Sequence, residues 1–433
     1  MKIGMEFRDT TISGIDFSHV EDGNPGCGGT QFEFALLAHH LLKLNKGYEI
    51  VFFHLSDNCF EEGCKSVKLS SLQDMPRAAK EENVDVFLFW SAAHDDAWYK
   101  ALEENGLTAI AWAHNFLSYG ELCQLRSCCA VKRVVCVSRE QYELLCGEDI
   151  FPRCTAISNM FDFVPEKRDR SEALRSNIVC CMGALIKAKG FHLLAKHWKA
   201  IVRKVPNAQL YVLGTGKLYQ ANAVMGNFGL AEASYEKLFM KYLTDKNGQM
   251  LPSVHFLGNV GAEKNEIFRR SKVGVVNPNG VESFCIAALE KEAEGVPVCS
   301  RRANGLLVSV SHKKTGLLSR SSLGLKRDVL RLLQDDDLNK KMGEAAVDFA
   351  AGFHGDMLVT EWDALFDNVV SGRETPVLGI SGNLLSRGKI FRRALYYLRR
   401  VPILRWLPTP YHCAHFIHTG KRILVRIKNF IRR

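Results

Sequence analysis

Apolar residues along this chain gather into short runs, separated by longer stretches in which they recur every three or four positions. That alternation predicts parallel sheets assembled from strand-helix-strand units. In the first part of the chain, 35–44 has the helical spacing, and 48–54, 84–90, 107–112 and 134–137 read as buried strands bounded by polar or turn residues. A charged stretch then opens with proline, Pro165-Glu166-Lys167-Arg168-Asp169-Arg170-Ser171, and reads as a linker. Beyond it the alternation resumes, with strand candidates at 178–182, 209–213, 254–257, 273–276 and 296–299 and a helix expected over 191–205. Two Rossmann-like α/β domains in series are expected, 1–165 and 166–370, with a cleft between them and a closing helix near 357–370. Asp335-Asp336-Asp337 falls between two helical patterns and reads as a solvated turn, not a metal motif.

Composition adds limits. A chain of 433 residues, 47% of them hydrophobic, exceeds what one ordinary core holds. The first residues carry charges where an export signal needs an apolar core, and no run approaches the roughly 18 apolar residues of a membrane span. The protein is expected to stay in the cytoplasm. Its fourteen cysteines include no C-x-x-C pair and read as reduced thiols, so no structural metal is expected. Charge is segregated: from Arg387 onward there are thirteen Lys and Arg and no Asp or Glu, while the rest of the chain has a net charge of −3.

Three constellations carry candidate chemistry. Gly26-Cys27-Gly28-Gly29-Thr30 precedes a helix, where Gly28 and Gly29 let backbone approach an anionic ligand; a bare turn with Thr30 as cap is the alternative. Gly183-Ala184-Leu185-Ile186-Lys187-Ala188-Lys189-Gly190 follows a buried strand, so Lys187 and Lys189 stand at the carboxyl edge of a sheet, either to neutralise a diphosphate or as a solvated loop. Asn277-Pro278-Asn279-Gly280-Val281-Glu282-Ser283-Phe284-Cys285 leads into an apolar helix carrying Glu290. A ribose diol would give Glu290 two donors; otherwise it faces water beside Lys291 and Glu292.

The Glu282 to Glu290 spacing, with Gly295-Val296-Pro297-Val298 and Lys314-Thr315-Gly316-Leu317-Leu318, resembles the E-x7-E region of the family-four retaining glycosyltransferases of GT-B fold. Gly28-Gly29, Val137-Ser138, Ile157-Ser158-Asn159-Met160-Phe161-Asp162 and Leu213-Gly214-Thr215-Gly216 resemble further ordered segments of that family. The resemblance implies that Glu290 binds the donor ribose, Glu282 the transferred sugar, and Lys189 the diphosphate leaving group. It also implies that amides of Ser283, Phe284 and Cys285 face phosphate or sugar, that Gly183 belongs to the same loop, and that the Gly258-Asn259-Val260 turn faces the base. His114 resembles the family's active-site histidine; without the resemblance it reads as a structural histidine. Two departures stand out: Ala184 where the family usually has Arg, with Lys187 as a substitute from another position, and Cys285 where Gly is common.

In the tail, 389–400 places Ile390, Phe391, Ala394, Leu395 and Leu398 on one helical face, with Lys389, Arg392, Arg393, Arg399 and Arg400 mostly away from it, and 421–433 repeats the design. With Tyr396, Tyr397 and Trp406 this predicts binding to an anionic membrane surface through 387–433; a tail packed on the body is the alternative. Nucleic acid is not expected as a partner, since the body lacks a basic groove. His412, His415 and His418 read as interfacial residues. The reading is therefore a retaining, metal-independent transferase taking a UDP- or GDP-linked sugar to a lipid-linked saccharide or polysaccharide acceptor at the inner membrane face, in surface-polysaccharide assembly. The alternatives are a non-catalytic GT-B subunit that docks a partner enzyme and a sugar-nucleotide epimerase.

Overall fold

The computed structural model describes residues 1–433 other than 11, 163–175, 217–223, 262, 375, 381–388, 410, 414–415 and 417–433. The chain divides into two compact units, Met1–His19 with Thr30–Ser158 and Val359–Arg433, and Val20–Gly29 with Asn159–Leu358. The charged linker stretch and the second tail segment, 421–433, with His415 and His418, lie outside the described residues.

The strands of the first unit are β1 (Lys2–Glu6), β2 (Asp16–Phe17), β3 (Glu49–His54), β4 (Cys59–Phe60), β5 (Cys64–Lys68), β6 (Val86–Trp90), β7 (Ala109–Ala113), β8 (Val131–Cys136) and β9 (Cys154–Ala156). Seven of them form a parallel sheet in the order β5-β3-β1-β6-β7-β8-β9, and β2 pairs with β4. One interior strand, β1, is not among those the apolar runs predict. Gly4 is needed in it, because a Cβ there would stand 2.9 Å from Phe53 and Val84 side chains. Burial alone would raise the Glu6 carboxyl, but His94, 3.2 Å away, and the Arg8 guanidinium, 2.8 Å away, hold it below the usual carboxylate range. Helices follow the strands from capped starts: Asp95 accepts from the Trp98 amide, and Ser118 and Glu121 form a reciprocal capping box.

Helix Gly355–Val370 corrects a boundary. Its residues from Val359 group with the first unit, where Trp362 is fully buried edge-on against Trp112 at 4.6 Å and the Tyr48 hydroxyl donates to Asp363 at 2.8 Å. Those aromatic partners lie in the first unit, so the helix cannot be counted wholly with 166–370.

The tail helix Lys389–Arg399 groups with the first unit, and the residues of its expected apolar face do not all point the same way. Leu395 is buried and Tyr396 meets Phe151 at 5.9 Å, but Arg392 turns inward too, and Arg399 donates to the Arg405 and Leu407 carbonyls and faces Asp149. Ile390, Phe391 and Leu398 point to solvent, followed by Ile403 and Trp406, which are 79% and 76% exposed. Beyond them Thr409 is buried and bonded to His412. Among the described residues no helix is long and apolar enough to cross a membrane.

The second unit contains β10 (Ser176–Met182), β11 (Gln209–Leu213), β12 (Val254–Gly258), β13 (Ser271–Val276), β14 (Val298–Arg301) and β15 (Gly316–Ser319). They form a parallel sheet in the order β12-β11-β10-β13-β14-β15, so strand order reverses between β10 and β13. Open parallel sheets bind ligands outside the carboxyl ends of their strands at such a reversal. The helix expected over 191–205 is two, Phe191–Ala195 and Trp198–Lys204, with Trp198 fully buried and its indole donating to Ser253 at 3.0 Å. The acidic triplet is exposed at the junction of two helices, where Asp335 caps helix Asp336–Ala351 and Asp336 pairs with Lys272 at 2.6 Å.

Candidate functional site

At the carboxyl ends of β10 and β13, three glycines set the loop path. Gly183 and Gly214 adopt φ of +145° and +128°, and a Cβ on Gly214 would lie 2.3 Å from the Gly183 carbonyl oxygen. Gly190, at φ +82°, leaves room for Asn279. The loop between Gly183 and Gly190 turns its two lysines differently: Lys187 is exposed, while the Lys189 ammonium donates to Glu282 Oε2 at 2.5 Å. Ala184 is buried, where the family pattern would bring an arginine.

Glu282 receives a second donor, the Asn277 side-chain amide, which also reaches the Val281 carbonyl at 2.9 Å. Asn277 ends β13 at φ +34°, and the Ser300 hydroxyl braces this turn from β14 by donating to the Val276 carbonyl. The following backbone is held by a close approach: Gly305 donates to the Glu282 carbonyl at 2.9 Å, and a Cβ on Gly305 would stand 2.1 Å from the Ser283 oxygen. Phe284 is buried edge-on to Phe353. Cys285 precedes helix Ile286–Ala293 at φ +95°, ψ 72°, a left-handed conformation that disfavours any side chain. Its side chain fills an apolar cluster with Val276, Val298 and Leu306, and burial pushes the thiol up to about 12.

Glu290, on that helix, does not simply face water: Lys264 donates to its Oε1 at 2.6 Å, and both side chains are mostly covered. Its neighbours are buried. Lys291 lies over the Phe268 ring at 4.5 Å, and Glu292 accepts from the Thr315 hydroxyl at 2.6 Å, with burial raising its carboxyl far above the usual range. The Gly258-Asn259-Val260 turn accepts the Gly214 amide at Gly258 and packs Val260 on Phe268 and Val296. Of the first glycine segment, Gly28 and Gly29 group with this unit, Gly29 opens helix Gly29–Lys43, and Asn24 closes the turn by accepting from the Gly26 and Cys27 amides. Thr30 lies inside the helix and is no cap.

His114 belongs to the first unit, just past β7. Its ring lies against Trp112 at 4.4 Å and Phe34 at 5.9 Å, and burial lowers its pKa to about 3, so the imidazole is neutral at physiological pH. Gln141 positions this loop by donating to the Ala113 and Asn115 carbonyls. Sequence reasoning missed Lys264, Asn277 and Gln141 as supports; for Asn277, its place at the end of a predicted strand and just before a proline was the available signal. Among the described residues no group of three or more His, Cys, Asp or Glu is placed to hold a metal ion.

Two all-parallel Rossmann-like units, the second bearing a lysine and two glutamates around its strand-order reversal, define the class of protein: a GT-B fold. Residues 163–349 match the model of the family described as glycosyl transferases group 1. The chain is similar to the D-inositol 3-phosphate glycosyltransferase of Corynebacterium aurimucosum, 26% identical over 208 residues that make up 47% of this chain and 46% of the relative. The chain thus spans about half the length of the curated relatives it matches. Among solved structures, sucrose-phosphate synthase of Thermosynechococcus elongatus aligns with a TM-score of 0.64 at 14% identity, covering 86% of this chain and 100% of that one. HepE of Anabaena, in complex with UDP-glucose, aligns with a TM-score of 0.62 at 15% identity over 85% of this chain and 100% of that one. At such identities these structures speak for the fold.

Proposed function

We propose that the chain is a retaining glycosyltransferase that moves a sugar from a nucleotide diphosphate sugar, UDP- or GDP-linked, to a lipid-linked saccharide acceptor at the inner face of the cytoplasmic membrane. The observation that carries this reading is the meeting of Lys189 and Asn277 on Glu282 at the strand-order reversal, one helix away from the paired Glu290. In it, Glu290 binds the ribose, with Lys264 keeping its carboxylate aimed. Lys189 sits where negative charge develops on the departing diphosphate, which needs no metal in this scheme. Its present partner, Glu282, becomes the sugar contact once phosphate competes for the lysine. His114, being neutral, serves as a hydrogen-bonding group rather than a cation.

The membrane part of the proposal rests on the tail. Arg392 and Arg399 are used inward, while Ile390, Phe391, Leu398, Ile403 and Trp406 are left outward among exposed arginines. Such a surface suits the interface of an anionic bilayer, with rings and aliphatic side chains at headgroup depth. A role in surface-polysaccharide assembly fits a lipid-linked acceptor.

The test is direct transfer. Full-length protein is incubated with radiolabelled UDP- and GDP-sugars and bacterial lipid extract, and label in the lipid phase is measured with product anomeric configuration. Lys189→Ala should lower turnover at least about tenfold, since a preorganised cation is lost from the transition state. Inverted product, or equal turnover in the variant, overturns the mechanism.

A further inference from the structure

Resting on the reading of the second unit as the nucleotide-sugar domain, we infer that Arg302, Arg320 and His312 form a second anion site on that unit, which takes a phosphate or diphosphate group of the acceptor. The cluster lies at the carboxyl ends of β14 and β15. These strands are parallel neighbours, and the Arg302 amide donates to the Ser319 carbonyl at 2.8 Å, which sets Arg302 beside the residue that precedes Arg320. The loop carrying Arg302 is tied to the Glu282 turn: the Asn304 side chain donates to the Gly280 carbonyl at 2.8 Å and the Gly305 amide to the Glu282 carbonyl at 2.9 Å. The cluster holds donors and no free acceptor. Arg302 is half-buried, and of its nitrogens only Nε is closed off from solvent, without a partner. Partial burial and the neighbouring Arg320 press this guanidinium below its ordinary range. A covered cation is normally answered by a carboxylate or by carbonyls, yet neither arginine side chain has a partner among the described residues.

His312 adds a third donor. Its Nδ1 accepts from the Leu318 amide at 3.0 Å, so the neutral ring holds its hydrogen on Nε2 and can only donate there. Burial, Arg302 and Lys313 all favour that neutral form. Asp328 opposes them, but it is buried, accepts from the Ser319 hydroxyl and has Arg327 at 3.8 Å. The strand order says which anion is meant. Along the carboxyl edge of the sheet the Gly258-Asn259-Val260 turn follows β12, the Lys189 loop β10, the Glu282 turn β13, and the cations β14 and β15. Base, diphosphate and sugar of the donor thus run toward the cluster and end short of it. At about 4.8 Å per strand, β14 and β15 stand about 10 and 14 Å from β10, and Arg302 is drawn toward β15 by its place beside Arg320 and His312. A donor diphosphate held at Lys189 is out of its reach. An anionic group on the acceptor, which meets the sugar from its far side, is not, and phosphate oxygens suit the planar fork of an arginine.

The test uses full-length protein saturated with UDP, or with GDP if only that nucleotide binds, so that the Lys189 site is filled. Inorganic pyrophosphate, geranylgeranyl diphosphate in detergent micelles and glucose 6-phosphate are each titrated in by calorimetry, on wild type, Arg302→Gln and Arg320→Gln. Wild type should bind pyrophosphate beside the nucleotide. Each variant should weaken that binding at least about tenfold and leave nucleotide affinity unchanged. Arg320 is exposed, so its variant decides even if Arg302→Gln does not fold. Preference for geranylgeranyl diphosphate assigns the site to a lipid-linked acceptor, and preference for glucose 6-phosphate assigns it to a water-soluble sugar phosphate; either supports the inference. Pyrophosphate that no longer binds once the nucleotide is in place, or that binds both variants as well as wild type, overturns it and leaves the nucleotide domain standing. Variants that keep their pyrophosphate affinity but sediment less with phosphatidylglycerol vesicles would make the cluster a membrane contact, and overturn it too. If no nucleotide binds at all, the reading of the domain itself falls, and this inference with it.

Discussion

At an ordinary buried site, glycine is a worse replacement than alanine; at Cys285 the order should vanish or reverse. The residue sits at φ +95° with its sulfur in the apolar cluster of Val276, Val298 and Leu306. Cys285→Ala removes the sulfur and keeps a Cβ in the strained conformation. Cys285→Gly removes one carbon more, worth about 0.8 kcal/mol of burial, and adds about 0.5–1 kcal/mol of backbone entropy. Against those it releases strain of about 1–3 kcal/mol. Taking the middle of each range, the glycine variant comes out about 0.5 kcal/mol more stable than the alanine variant, between extremes of about 0.8 less and about 1.7 more, where elsewhere it would be about 1.5 kcal/mol less stable. Thermal unfolding of the two variants is the assay, read on the transition that a bound nucleoside diphosphate shifts, because a two-unit chain need not unfold in one step. For a unit of this size 1 kcal/mol moves the midpoint by about 2–4 °C. An alanine variant about 1.5 kcal/mol more stable than the glycine variant would show that Cys285 is unstrained and refute the reasoning.

Other outcomes follow from the same geometry. Glu290→Gln should weaken nucleoside diphosphate binding by about 1.5–3 kcal/mol, the range for a hydrogen bond to a charged group, as measured by calorimetry; unchanged affinity removes Glu290 from the site. The folded chain holds a proton on Glu292 that the unfolded chain releases above the ordinary glutamate range, so this group's stability contribution is lost as pH rises through that window toward its raised folded value. Glu292→Gln does not titrate, and its unfolding free energy relative to wild type should climb between pH 5 and 8, by up to about 1.4 kcal/mol per pH unit, as read from thermal unfolding; a gap independent of pH contradicts the burial argument. Ile403→Asp with Trp406→Ser should abolish sedimentation with anionic vesicles while leaving the melting temperature within about 2 °C, since both side chains are exposed. These substitutions are cleaner than cutting the chain after Gly372, which would strip Leu395, Tyr396 and Tyr411 from the core they cover.

Much of the second unit was legible because its strands are uninterrupted apolar runs; Gln209–Leu213 has the bounds its pattern predicts. Strand β1 of the first unit was not, because Lys2, Gly4 and Glu6 break the run, and the reason Glu6 is tolerated, its contact with Arg8 and His94, lies partly 88 residues away. Glu290 was recognisable from its spacing to Glu282, but its lysine stands on another helix, 26 residues upstream, where no periodicity points to it. Lys291 and Glu292 looked like solvated charges since a sequence does not reveal an aromatic face or a threonine hydroxyl waiting in the interior. The tail pattern correctly gathered Ile390, Phe391 and Leu398 on one side, yet an amphipathic helix ordinarily turns that side inward. Here Arg399 finds carbonyls and Asp149 beneath the helix, and the apolar side is left outside.

The interleaved make-up of the first unit bears on how the protein is born. Trp112, buried in that unit, meets Trp362, and Val359–Arg433 is made after every other part of the same unit and after the whole of the second. During synthesis the second unit has all its sheet strands once Ser319 has emerged, whereas the first must wait with an uncovered aromatic surface. A nascent chain stalled before Val359 would therefore be a natural client for chaperones that hold exposed aromatic surface, and premature stop codons in that interval should yield aggregated rather than partly active protein.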